Sequence, residues 1–253
     1  MSAFHLYLIL PWVHIVLQRW SDLTLVEDGF EFGIIQDSLA NSMGAAIPNR
    51  SLGIISGEIG AGKSLITQRL AFGLVQNSVK VTYVTTELTT RGWLEQVGSI
   101  GYDMDGFIDQ GKFLLLSSFG VIAEEIEEKI DILQLLQSPA LQEAEVIIID
   151  RASQLIPEGM DSRALLSTLR KFNSSGRTIL LTIDDQEIDS RLLREIKNSA
   201  ELVLDLETAT IGGDTVRTIA VTRFLRAAGP TQGRIGWKVM PQMGFIVDIT
   251  AVS

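Results

Sequence analysis

Three glycines followed by a lysine and a serine form the strongest chemical signal in the chain. They occur in the run Gly57-Glu58-Ile59-Gly60-Ala61-Gly62-Lys63-Ser64, which has the full spacing of a phosphate-binding loop (Walker A). Glycines let the backbone turn so that successive N–H groups converge on phosphate oxygens. Lys63 would then reach the β- and γ-phosphates, and the Ser64 hydroxyl would contact Mg²⁺. All eight residues are therefore predicted to form a site for ATP with Mg²⁺.

A carboxylate at the end of an apolar run is the second candidate. Asp150 closes the run Val146-Ile147-Ile148-Ile149-Asp150, and a carboxylate in that place can hold Mg²⁺ beside the Ser64 hydroxyl, usually through water. The pattern is weak when it stands alone, because any buried strand can end in an Asp that caps a helix. Its position downstream of the phosphate-binding loop favours the interpretation of Ser64 and Asp150 as the metal ligands.

Two further polar residues end apolar runs and could act on a γ-phosphate. Parallel α/β sheets bind ligands at the carboxyl ends of their strands, so Glu87 could orient or deprotonate a water molecule there. Glu87 could instead favour the start of the helix expected around residue 89 or 90. Thr182 could sense the γ-phosphate, although a simple hydroxyl at the end of a strand explains it equally well.

The elements that must position these residues alternate along the chain. Short apolar runs typical of buried strands occupy residues 51–56, 80–86, 145–149, 177–183 and 201–206. Helical patterns lie between them, over residues 64–75, 123–136 and 163–172. This alternation predicts an α/β fold of the RecA-like P-loop NTPase type, in which helices flank a mostly parallel sheet.

The pattern changes near the C-terminus. Residues 215–224, 234–239 and 244–249 are typical of strands, and they are joined by the turn signals Gly212-Gly213-Asp214 and Gly229-Pro230. We therefore expect an antiparallel extension at the C-terminal edge of the sheet.

Composition limits the classes of protein to be considered. The chain has 253 residues, of which 46% are hydrophobic, so it can bury a large core. Its formal net charge of -10 argues against a broad nucleic-acid-binding surface, because phosphate backbones attract clustered Lys and Arg. It has no cysteine, which excludes disulfides and thiolate metal sites, and its two histidines are too few for a histidine metal site.

The chain divides into an apolar N-terminal segment, residues 1–22, and residues 23–253, which are predicted to form one ATP-binding domain. The apolar stretch between Phe4 and Leu17 is interrupted by Pro11 and is too short for a simple membrane span. It could be an interfacial anchor, a helix packed on the domain or on a partner, or a non-native extension from a misassigned start.

The motifs together resemble a known family. The phosphate-binding loop, Thr86-Glu87, Ile149-Asp150 and Thr182 resemble the RecA superfamily and, within it, the KaiC-like ATPases. The run Thr208-Ala209-Thr210-Ile211-Gly212-Gly213 and residues 85–87 are similar to the archaellum (archaeal flagellum) accessory ATPases of the FlaH type. The resemblance covers about residues 30 to 250.

This resemblance implies a function and partners. The chain would be an ATP-binding regulatory component of the archaeal motility motor that controls assembly with the motor ATPase. It would form a homo-oligomeric ring, contact the motor ATPase and a membrane-linked ring protein, and lie in the cytoplasm at the inner face of the cell membrane. Arg223, or nearby Arg226, would reach the γ-phosphate of a neighbouring subunit; the alternative is a solvated edge strand.

Three departures from the family pattern bear on hydrolysis. Relatives commonly carry two adjacent glutamates where this chain has Glu87 alone. Arg151 stands where a Ser is frequent, and Asp184 stands where a His is frequent. We therefore expect weak or no ATP hydrolysis. The alternatives are a KaiC-like signalling ATPase that phosphorylates itself and, on the same core, a RecA-family recombinase.

Overall fold

The computed structural model of the protein describes residues 29–120, 130–211 and 214–248. The apolar segment 1–22, residues 123–129 of one expected helix, Gly212-Gly213 and residue 249 lie outside the described residues.

Eleven strands and seven α-helices occur in the described part of the chain. The strands are β1 (Phe30–Glu31), β2 (Ala46–Ile47), β3 (Leu52–Gly57), β4 (Val81–Thr85), β5 (Phe113–Ser117), β6 (Val146–Asp150), β7 (Thr178–Ile183), β8 (Leu202–Ile211), β9 (Asp214–Phe224), β10 (Arg234–Met240) and β11 (Gly244–Val247). The helices are α1 (Leu39–Ser42), α2 (Lys63–Gln76), α3 (Thr90–Ser99), α4 (Asp105–Asp109), α5 (Ile132–Leu136), α6 (Ser162–Ser174) and α7 (Ser190–Ser199). Two 3₁₀ turns, Pro139–Leu141 and Ala152–Leu155, flank β6.

Nine of these strands form one sheet in the order β11-β10-β9-β8-β3-β7-β6-β4-β5. The six strands from β8 to β5 in this order are parallel to one another. Strands β3, β4, β6 and β7 are buried along nearly their whole length, as expected where helices cover both faces of a parallel sheet. The predicted α/β fold is confirmed.

The C-terminal strands extend the sheet in antiparallel fashion, as predicted. Strand β8 pairs with β9, β9 with β10 and β10 with β11. Strand β8 runs to Ile211, five residues beyond its predicted end. The reason is that residues 207–211 pair with residues 214–218 of β9. The backbone hydrogen bonds between β8 and β9 therefore continue past the end of the parallel sheet.

Each face of the sheet carries its own apolar core. Helices α2 and α3 bury Ile66, Leu70 and Trp93 on one face, together with side chains of the C-terminal strands. Helices α5, α6 and α7 bury side chains such as Leu165 and Ile196 on the other. No helix in the described ranges is long and apolar enough to cross a membrane.

Several elements were not predicted from the sequence. Strand β5 was missed although it forms one edge of the sheet, next to β4. Helix α7 was missed because most of its residues are polar; it buries only Leu192 and Ile196, and Asp189 caps its N-terminus. The predicted start of α3 is confirmed, with Thr89 accepting a hydrogen bond from the Gly92 N–H.

A buried ion pair joins the segment before β2 to helix α2. Arg69 of α2 donates to the two carboxylate oxygens of Asp37, over 2.5 Å from Nε and 2.8 Å from Nη2. Its Nη1 donates to the Phe32 carbonyl at 2.8 Å. Both charged side chains are almost fully buried, so the pair fixes this segment against the helix that follows the phosphate-binding loop.

Candidate functional site

The phosphate-binding loop connects β3 to α2 as the sequence predicts. Gly60 and Gly62 have φ angles of 81° and 95°, which L side chains rarely adopt. A Cβ at Gly60 would meet nothing within 4 Å, whereas a Cβ at Gly62 would overlap the Trp237 ring. Within the described residues no side chain caps α2, so the N–H groups of its first turn face the loop. This arrangement suits an anion.

Lys63 points back over the loop. Its Nζ donates to the carbonyls of Gly57 and Glu58, over 2.5 Å and 3.0 Å, and lies 3.4 Å from the Asp184 carboxylate. The Lys63 and Asp184 side chains are 11% and 2% exposed. A phosphate in the loop would therefore compete with Asp184 for the ammonium group.

Asp150 accepts hydrogen bonds from two neighbouring elements of the site. Its Oδ1 accepts from the Thr182 hydroxyl at 2.8 Å, and its Oδ2 accepts from the Tyr83 hydroxyl at 3.0 Å. Burial raises the pKa of Asp150, and hydrogen bonds from Ser64, Thr182 and Tyr83 oppose that shift. A carboxylate and a hydroxyl are oxygen donors of the kind that Mg²⁺ prefers, so Ser64 and Asp150 fit the metal.

Thr182 lies next to Asp150, on the neighbouring strand β7, and is itself fully buried. Its hydroxyl donates to Asp150 and accepts from the Arg151 N–H at 2.5 Å. The residue thus orients the Asp150 carboxylate and the backbone that follows it. A role in sensing the γ-phosphate stays a prediction.

Glu87 is held by an arginine. Its carboxylate accepts from Nη1 of Arg151, while Nε and Nη2 of the same guanidinium engage Glu187. The Ser153 hydroxyl donates to Glu187 at 2.6 Å. Hydrogen bonding to Arg151 lowers the pKa of Glu187, and the same contact raises the pKa of Arg151. The predicted catalytic role of Glu87 stays a prediction. The alternative, that Glu87 favours the start of α3 as a neighbour of its N-cap, is compatible with Thr89 at the N-cap.

Arg223 and Arg226 lie at the other end of the sheet. Arg223 stands opposite Val203, near the amino end of β8, and its Nη1 donates to the Asn198 carbonyl at 3.2 Å. Arg226 donates to the Asn49 carbonyl at 2.8 Å. Both side chains are therefore remote from the phosphate-binding loop of their own chain. They could reach a γ-phosphate only in a neighbouring subunit.

Sequence reasoning missed two aromatic residues of the site. The Tyr83 hydroxyl lies 2.8 Å from the Thr67 hydroxyl of α2 and donates to Asp150. Burial and then the Asp150 charge raise the pKa of Tyr83 well above its ordinary value. Trp237 of β10 is 2% exposed and packs against Gly62. The aromatic residues in these strands were the available signal, but they are equally typical of ordinary core positions.

The chain is similar to known proteins over most of its length. The family described as "ATPase: KaiC" matches residues 35–241. The archaeal flagellar ATP-binding protein FlaH of Methanocaldococcus jannaschii is 31% identical over 221 residues, which are 86% of this chain and 95% of that protein. The protein of the same name from Methanococcus voltae is 28% identical and is covered to 96%.

A solved structure is similar over nearly all of its length. The crystal structure of flagellar accessory protein FlaH from Methanocaldococcus jannaschii superposes with a TM-score of 0.80 at 30% identity. The match covers 88% of this chain and 100% of that one.

Proposed function

The chain belongs to the KaiC family of ATPases and, within it, to the FlaH type of archaeal flagellar ATP-binding protein, and from this premise we propose how it acts. It binds ATP with Mg²⁺ in the loop of residues 57–64, hydrolyses it weakly or not at all, and serves as a regulatory component of the motility motor.

The observation that carries the proposal is the convergence of Lys63, Ser64 and Asp150 at one end of the sheet. Lys63 lies against the loop carbonyls, where a phosphate can replace those contacts. The Ser64 hydroxyl is near enough to Asp150 to oppose the rise of its pKa, so one cation can contact both. Mg²⁺, when bound, would neutralise charge on the β- and γ-phosphates.

Removal of the Lys63 ammonium tests nucleotide binding. A charge-assisted hydrogen bond contributes about 1.5 to 3 kcal/mol, so Lys63→Ala should weaken ATP binding at least about tenfold in titration calorimetry with Mg²⁺. Lys171→Ala, which alters an exposed lysine in the last turn of α6, is the matched control and should bind like the wild type. Unchanged affinity in a folded Lys63→Ala protein would rule out this site.

The proposal extends to assembly. The ATP-bound form favours a homo-oligomeric ring that binds the motor ATPase and a membrane-linked ring protein at the inner face of the cell membrane. Arg223 supports this step because it lies at the end of the sheet opposite its own loop. From there it could contact the nucleotide of a neighbouring subunit but not its own. A ligand shifts assembly only through its differential affinity for the two states, and a contact made only in the ring supplies that difference.

Light scattering with size separation tests assembly at fixed protein concentration. The wild type should form larger particles with a non-hydrolysable ATP analogue and Mg²⁺, with or without the motor ATPase. Arg223→Ala should bind the analogue but fail to assemble. Identical mass distributions with and without nucleotide would refute the assembly role and leave ATP as a structural ligand.

A further inference from the structure

The guanidinium of Arg151 is anchored from one side. Its Nε lies 3.0 Å and 3.3 Å from the two carboxylate oxygens of Glu187, and Nη2 donates to the same group. The Ser153 hydroxyl fixes Glu187 in turn. These contacts leave Nη1 directed at Glu87.

The backbone of Arg151 is fixed as well. The residue has a φ of 58° and a ψ of 50°, a left-handed conformation that is uncommon for a residue other than glycine. Its N–H donates to the Thr182 hydroxyl, which also holds Asp150. The backbone of Arg151 is thus held by the same hydroxyl that orients the predicted metal ligand.

The three charged side chains are partly open to solvent. Arg151 and Glu187 are each 26% exposed, and Glu87 is 39% exposed. Glu87, Arg151 and Glu187 follow β4, β6 and β7, so the network lies at the carboxyl ends of the strands, where the predicted site residues come together.

We propose that Arg151 is a positioning residue that holds Glu87 away from the attacking water and so keeps ATP hydrolysis slow; this rests on the proposed binding of ATP in the loop. In hydrolysis the water oxygen bonds to the γ-phosphorus, the bond from that phosphorus to the bridging oxygen breaks, and ADP leaves. The water proton passes to a carboxylate oxygen of Glu87. Oε1 of that carboxylate already accepts a hydrogen bond from Arg151, so a Glu87 side chain that turns toward the water must share or give up this contact.

Four variants of the full chain separate this role from a structural one. Arg151→Ser releases Glu87, and Arg151→Lys keeps the charge but cannot span both carboxylates. The double variant, Arg151→Ser with Glu87→Gln, also removes the Glu87 carboxylate that Arg151→Ser would release. Arg91→Ser is the matched control, because Arg91 is an exposed arginine paired with Glu95 on α3.

The measurements are phosphate release with varied ATP and, separately, calorimetric affinity for a non-hydrolysable analogue. We expect kcat to rise about tenfold or more in Arg151→Ser while KM and analogue affinity stay within about twofold. The kcat of Arg151→Lys should lie between those of Arg151→Ser and the wild type. The double variant should return to the wild-type rate or below, and Arg91→Ser should match the wild type.

The outcomes distinguish this inference from the proposed function. If Arg151→Ser binds the analogue normally but turns over no faster than the wild type, Arg151 does not hold back hydrolysis. A gain that survives Glu87→Gln also overturns the inference, because the proton would then go elsewhere. If the wild type does not bind the analogue, both the inference and the proposed function fail. Should Arg151→Ser not fold, Arg151→Lys, which keeps the charge but cannot span both carboxylates, must raise kcat.

Discussion

Replacement of Asp37 by Ala should destabilise the protein more than loss of any exposed ion pair. Asp37 accepts two hydrogen bonds from Arg69, and the side chains are 1% and 0% exposed. The substitution leaves a buried guanidinium whose remaining described acceptor is the Phe32 carbonyl. An uncompensated buried charge is among the most costly defects in a folded chain.

The magnitude follows from this burial. Removal of one partner of a buried ion pair typically costs about 3 to 5 kcal/mol. Domains are stable by only about 5 to 15 kcal/mol, so the change is a large share of the total. In a domain of about 150 to 250 residues, 1 kcal/mol lowers Tm by about 2 to 4 °C, which gives an expected loss of about 6 to 20 °C.

The loss of Tm is measured by thermal unfolding monitored by circular dichroism, with Arg191→Ala as the control. Arg191 pairs with Glu195 on the surface of α7, where its side chain is 86% exposed, so Tm should hardly change. Asp37→Leu with Arg69→Met removes both charges and should be less destabilised than Asp37→Ala. Equal Tm values for Asp37→Ala and Arg191→Ala would refute the argument.

Two further predictions concern the loop and the metal ligand. Gly62→Ala should reduce ATP affinity more than Gly60→Ala in titration calorimetry, because only at Gly62 would the new Cβ overlap Trp237; equal losses would contradict this. Burial raises the pKa of Asp150, so as pH falls its carboxylate takes up a proton at a higher pH than an exposed carboxylate does. The Mg²⁺-dependent part of ATP affinity should therefore reach its maximum above that pKa and decline below it. Tyr83→Phe removes a hydrogen bond that favours the charged form, so calorimetric titrations over a pH series should show this decline at higher pH; an unshifted profile would count against the contact.

Local pattern was sufficient for most of the fold. Buried parallel strands read as continuous apolar runs, and β3, β4, β6 and β7 were each located within one or two residues of their ends. Strand β5 was missed although residues 113–116 are apolar, because a short run rich in leucine is equally typical of a helix and most of its side chains at the sheet edge are only partly buried. Helix α7 was missed because its apolar face is narrow and consists of few residues.

The phosphate-binding loop could be predicted because its eight residues are consecutive. Spacing along the chain fixes their geometry once a strand precedes and a helix follows. Asp150 could be inferred because it ends an apolar run downstream of the loop, and parallel strands place their carboxyl ends at one edge. The structure then sets Asp150 of β6 beside Thr85 of β4.

The sequence by itself therefore determined the family, the fold and the loop, since each depends on neighbouring residues or on repeated apolar runs. Only the tertiary structure decided which side chains meet across strands. It brought Arg151 to Glu87, Tyr83 to Asp150, and Trp237 to Gly62. Such contacts depend on strand order and register, which bring together residues that are far apart in the chain, and no local pattern encodes them.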